Sequence, residues 1–170
     1  YLRVKLCLLL ANITISGISA ETDEKIIENS LKDLKHRDAK VRLRGLQRIV
    51  TYGPFAKQAV PELIRLLDDK DSTVRERTVM ALKAIGPEAK QALPRLIQLL
   101  PKADYNFRRR LVEALDNIGI EPAKAAVVLI LLLKEKDRDI QYYIRSMLLK
   151  MGPHAKEIIP ALITILTDKD

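Results

Sequence analysis

The sequence predicts an all-α fold, a solenoid of antiparallel two-helix repeats with a period of 33 residues. Three observations predict it. Gly53, Gly86, Gly119 and Gly152 recur at a constant step, and Asp38, Asp71, Asp104, Asp137 and Asp170 keep the same one. Val41, Val74, Phe107 and Ile140 follow in register, as do Leu63, Leu96, Leu129 and Leu162. Third, each period holds two apolar stripes at helical spacing, and a period of this length is the signature of a stacked helical array.

Each unit reads as a pair of helices. In the second copy the first helix runs from about Phe55 to Asp68, with Val60, Leu63, Ile64 and Leu67 on one stripe. Pro61 suits an N1 position, where its missing N–H costs nothing, so the turn before it is loose or separately wound. The second helix runs from about Ser72 to Ile85, with Val74, Thr78, Ala81, Leu82 and Ile85 inward. Ser72 or Asp71 caps it. Gly86 supplies a left-handed stop and Pro87 bars continuation. The frame gives helix pairs over 24–52, 55–85, 88–118 and 122–151, then a half repeat over 154–170. One such pair cannot bury its own apolar face, so neighbours must stack into a continuous core. The apolar residues of the last helix, Ile158 to Leu166, lead to the expectation that the array continues past Asp170.

Composition agrees. The chain has 170 residues, 48% apolar and 31% charged, with 4% aromatic and no Trp. The formal charge is +8; without Arg3 and Lys5 it is 28 basic against 22 acidic, or +6. That excess favours acidic partners in a general way and does not by itself select nucleic acid. The lone Cys7 excludes an internal disulfide and a cysteine metal site.

Residues 1–20 have a different character. Arg3 and Lys5 precede the mostly apolar run from Leu6 to Ile18, which ends in small residues at Ser19 and Ala20. This order predicts a signal peptide, hence an exported protein, periplasmic or extracellular, with the array over 21–170. The run is too short for a stable membrane span. If it is instead an upstream repeat helix, Leu8, Asn12, Ser16 and Ser19 would face inward, a poor core, and the protein would be cytoplasmic.

The runs Pro94-Arg-Leu-Ile-Gln-Leu-Leu100 before Asp104, Asp71-Ser-Thr-Val-Arg75 and Ala81-Leu-Lys-Ala-Ile-Gly86 resemble the HEAT repeat family, especially its short bacterial phycobilisome-lyase-type members. The resemblance covers residues 24–170. It implies a right-handed α-solenoid of antiparallel two-helix HEAT-like repeats whose second helices line a concave, protein-binding face. It also implies a structural ladder between neighbouring repeats, built from Asp38, Asp71, Asp104 and Asp137 with Arg42, Arg75 and Arg108. Gln141 stands where the next Arg would be.

Nothing in the sequence has the pattern of a catalytic or metal centre. His36 and His154 are isolated turn residues with no carboxylate or Cys beside both at ligand spacing. The His-Glu pairs by which HEAT-like hydroxylases hold iron are missing, as are a Gly-rich phosphate loop and a nucleophile elbow. No enzyme activity, cofactor or metal is expected. What does recur is a basic row on the second helices: Arg44, Arg77 and Arg110, then Tyr143, widened by Arg109, Tyr142 and Arg145. Arg and Tyr are favoured at binding hot spots, and Arg is also an ordinary soluble helix residue.

The expected function is a non-catalytic scaffold that binds a protein or peptide, with an acidic one favoured by charge. Two alternatives stand beside it: a nucleic-acid-binding HEAT-like protein using the basic row, and a bilin-lyase-like chaperone, by analogy of the repeat alone.

Overall fold

In the computed structural model the described residues are 16–120, with side chains from Asp23 onward, together with Ala125, Val128, Tyr142, Arg145, Leu149 and Lys156. Within residues 16–120 six α-helices follow in order: α1 Ser16–Leu34, α2 Ala39–Tyr52, α3 Val60–Leu66, α4 Ser72–Ile85, α5 Leu93–Leu99 and α6 Tyr105–Ile118. Three 3₁₀ segments, Gly53–Ala59, Gly86–Ala92 and Leu100–Lys102, connect them. Among the described residues there is no strand.

The second helices α2, α4 and α6 begin at Ala39, Ser72 and Tyr105 and end at Tyr52, Ile85 and Ile118, a step of 33 at both ends. Their starts are fixed by side-chain caps. Asp38 accepts from the Lys40 N–H, Asp71 from Val74 and Asp104 from Phe107, each satisfying an N–H that the first helical turn leaves orphaned.

Of the first helices, α1 starts ahead of the expected residue 24, whereas α3 and α5 are short. The stretch read as a helix from about Phe55, with a loose or separately wound turn before Pro61, is a 3₁₀ segment broken at Ala56, followed by seven α-helical residues from Val60. Pro61 and Pro94 lie in the first turns of α3 and α5. Their rings cannot continue an α-helix from upstream, so the preceding turns wind separately.

The helix stops also differ in detail. Gly86 has φ +69° as expected, but ψ −138° lies outside the left-handed helical well; Gly119 has φ +84° and ψ +87°. The cause is the next residue. Pro87 clashes with a helical ψ on its predecessor, whereas Ile120 leaves Gly119 free to take the left-handed turn.

Packing forms two layers. α1 packs on α2, α2 on α4, and α4 on α6, so the second helices make one continuous row. α3 and α5, with their 3₁₀ leads, form the other layer. The core between them is Leu-rich: Leu46, Leu63, Leu67, Leu82, Leu96, Leu100, Leu111 and Leu115 are fully buried. Each such side chain contributes about 1.5–3 kcal/mol of hydrophobic burial. Of the stripes read from sequence, Val60, Leu63 and Leu67 and the whole set Val74-Thr78-Ala81-Leu82-Ile85 are buried in this core, while Ile64 is half-buried against it. Buried Thr78 satisfies its hydroxyl on the Val74 carbonyl at 2.8 Å.

At the N-terminal end α1 runs through residue 20 without interruption. Its attachment is close: a Cβ at Gly45 would lie 2.9 Å from Asp33 Cβ and 3.0 Å from the Ser30 carbonyl oxygen. Tyr52 donates its hydroxyl to Asp23 across the same pair at 3.0 Å. The helix pair 122–151 and the half repeat 154–170 fall outside the continuous described stretch; within them Ala125 and Val128 are buried, and Tyr142 and Leu149 exposed.

Candidate functional site: the face of the second helices

The expected ladder takes a different form in the structure. Asp38, Asp71 and Asp104 spend a carboxylate oxygen each on capping their own helix. The arginines four residues on turn back to the carbonyls of the preceding turn: Arg42 Nη1 to His36 and Arg37, Arg75 Nη1 to Asp69 and Lys70, Arg108 Nη2 to Ala103. The bond that crosses between repeats runs from Arg42 to Asp69, at 2.8 Å. A capping carboxylate is already drawn to the backbone N–H groups at a helix start, so the acid two residues earlier makes the cross-repeat pair. Asp137 lies outside the described residues.

His36 is exposed, and its Nδ1 accepts the Asp38 N–H at 3.0 Å. Among the described residues no group of His, Cys, Asp and Glu has the arrangement of a metal site. Nor, among them, is any helix long and apolar enough to cross a membrane.

The basic row does lie on the face of the second helices, but most of its charge is answered locally. Arg44 is exposed and pairs with Asp33 at 3.2 Å, and Arg48 joins it on the same carboxylate at 3.0 Å. Arg110 is half-buried and reaches Glu76 at 3.3 Å. Lys83 forms an ion pair with Glu113 across α4 and α6. Arg77 is exposed and has no carboxylate partner among the described residues. Arg109 is half-buried, Tyr142 and Arg145 are exposed on helical backbone, and Tyr143 lies outside the described residues.

Arg77 and Arg110 converge on one atom that the sequence reading missed. Their Nη1 atoms stand 3.8 and 3.9 Å from Met80 Sδ. Met80 lines a groove of about 380 Å³ between α4 and α6. Val79, Met80 and Ala84 give the groove an apolar floor, and Lys83, Arg110 and Glu113 give it a charged rim. Met adapts its shape to varied apolar surfaces, and an apolar floor with few polar groups suits an inserted side chain. The one signal in the sequence was spacing: Met80 and Ala84 lie one and two helical turns after Arg77, on the side away from the buried stripe.

A family model described as HEAT repeats matches residues 27–116, more than half of the chain. Among solved structures, the crystal structure of an engineered protein determined by a structural genomics consortium superposes with a TM-score of 0.60. It is 22% identical and covers 79% of this chain and 67% of its own. At that identity the likeness concerns the fold. No curated protein matches the sequence.

Proposed function

The chain belongs to the HEAT repeat family, and on that premise we propose that it is a non-catalytic scaffold that holds a protein or peptide against its second helices. The observation that carries this reading is the groove between α4 and α6, an apolar floor set in a continuous helical face and rimmed by charges. Such a recess takes an apolar side chain of a partner, while Arg77 remains available to an acidic neighbour of that side chain.

A nucleic-acid backbone fits this face less well. Asp33, Glu76 and Glu113 stand among the cations and would meet the phosphates with like charge. The same proposal takes residues 1–20 as a signal peptide and the scaffold as exported, on the charge and hydropathy order of those residues. N-terminal sequencing of protein secreted from its native host checks that part.

The binding reading is tested by affinity capture from the native source with wild type, Met80→Glu and Gln91→Glu. Gln91 is exposed in the other layer. The reading expects Met80→Glu to lose partners that wild type and Gln91→Glu share. Identical recovery from all three contradicts it.

A further inference from the structure

Two joints between successive repeats lie among the described residues; they are not equivalent, and at the second Arg75 and Lys102 line a common recess. At the first joint Arg42 binds Asp69, with the two side chains 7% and 8% exposed. One period on, Arg42 becomes Arg75 and Asp69 becomes Lys102; a further period turns Lys102 into Glu135. The register therefore runs acid, base, acid.

Arg75 keeps half of what Arg42 does. Its Nη1 donates to the Asp69 and Lys70 carbonyls at 2.8 and 3.3 Å. Where Arg42 Nη2 holds a carboxylate, Arg75 meets none among the described residues, and Lys102 is exposed without an ion-pair partner among them. The space between is a recess of about 310 Å³ lined by Arg75, Lys102, Asp68, Asp69, Asp104 and Phe107. Its three acids are already engaged. Asp68 pairs with Arg95, Asp69 with Arg42, and Asp104 caps α6.

We propose that this recess binds a carboxylate, held between Arg75 and Lys102 in the place that the Asp69 side chain fills at the preceding joint. The chain itself supplies the precedent, since the same guanidinium in the same turn already takes a carboxylate there. An Arg fork and a Lys point charge suit one planar anion. The site goes beyond the groove on the second helices and does not depend on it. Its carboxylate comes either from a free small acid or from an acidic side chain of a bound polypeptide.

The test uses the full chain with two probes, glutarate and the blocked tripeptide acetyl-Gly-Glu-Gly-amide, read through the backbone amide resonances of Ala103 and Phe107, which line the recess and are present in every variant. The site predicts a saturable shift with a dissociation constant of about 1 mM. Arg75→Gln weakens binding at least about tenfold. Lys102→Glu supplies the missing carboxylate internally, so it also abolishes binding and raises the ligand-free melting temperature by about 2–4 °C. Tighter binding of the tripeptide assigns the site to polypeptide side chains; equal binding assigns it to small acids as well. No saturable shift from either probe, or undiminished binding by Lys102→Glu, overturns the proposal.

Discussion

Arg42 and Asp69 meet at 2.8 Å across the first repeat joint, 27 residues apart in sequence and both almost wholly buried. The pair is one element of a larger polar cluster. Arg42 also caps the His36 and Arg37 carbonyls, and Asp69 also accepts the Asp71 N–H at 2.9 Å. The remaining Arg42 donor, Nε, is buried without an acceptor. Removing either partner strands a buried charge, so Arg42→Ala or Asp69→Ala should each cost about 3–5 kcal/mol. Denaturant unfolding checks this. A loss below about 1 kcal/mol would mean that water reaches the joint.

Two glycines should fail for different reasons. Gly45→Ala forces a Cβ to within 2.9 Å of Asp33 Cβ, so α1 must shift from α2, at a cost of about 1–3 kcal/mol. Gly86→Ala meets nothing within 4 Å but must hold φ +69° with ψ −138°, outside the left-handed well, at a cost of about 1–3 kcal/mol. Hydrogen exchange separates them. Gly45→Ala should lower protection across α1, and Gly86→Ala should not.

Reversing charge in the basic row should have unequal effects. Arg77→Glu touches no ion pair and should leave stability within about 0.5 kcal/mol. Arg110→Glu sets like charges against Glu76, and the half-exposed pair is worth about 0–1 kcal/mol. The swap Glu76→Arg with Arg110→Glu should recover that loss. Thermal unfolding of the four proteins gives the answer, and equal melting temperatures for Arg110→Glu and the swap would remove the pair from the account.

Much of the fold was legible because the repeat makes each residue testify several times. The starts of α2, α4 and α6 were readable from Asp38, Asp71 and Asp104, and their ends from the glycines, because capping is local chemistry. The shortness of α3 was less legible, since an apolar stripe runs through Leu63 and Leu67 whether the turn before Pro61 is α or 3₁₀. The cross-repeat bond was misread because partnership depends on which acid is free. Asp69 and Asp71 look alike in sequence, and only geometry shows that Asp71 is committed to its own helix. The groove was hidden for a similar reason. Met80 and Ala84 read as ordinary helix residues until α6 is placed beside α4. Arg110 stood in the basic row with no sign of its ion pair, because helical phase says nothing of Glu76 on the neighbouring helix.

The central claim is that a partner docks on the second helices. Site-specific photo-crosslinking in the native host tests it most directly, with the reactive side chain at Ala84 on the groove floor or at Gln91 on the other layer. The account predicts discrete adducts of defined mass from position 84, suppressed by Met80→Glu, and none from position 91. Adducts from position 91 alone, or the same diffuse adducts from both, would contradict it.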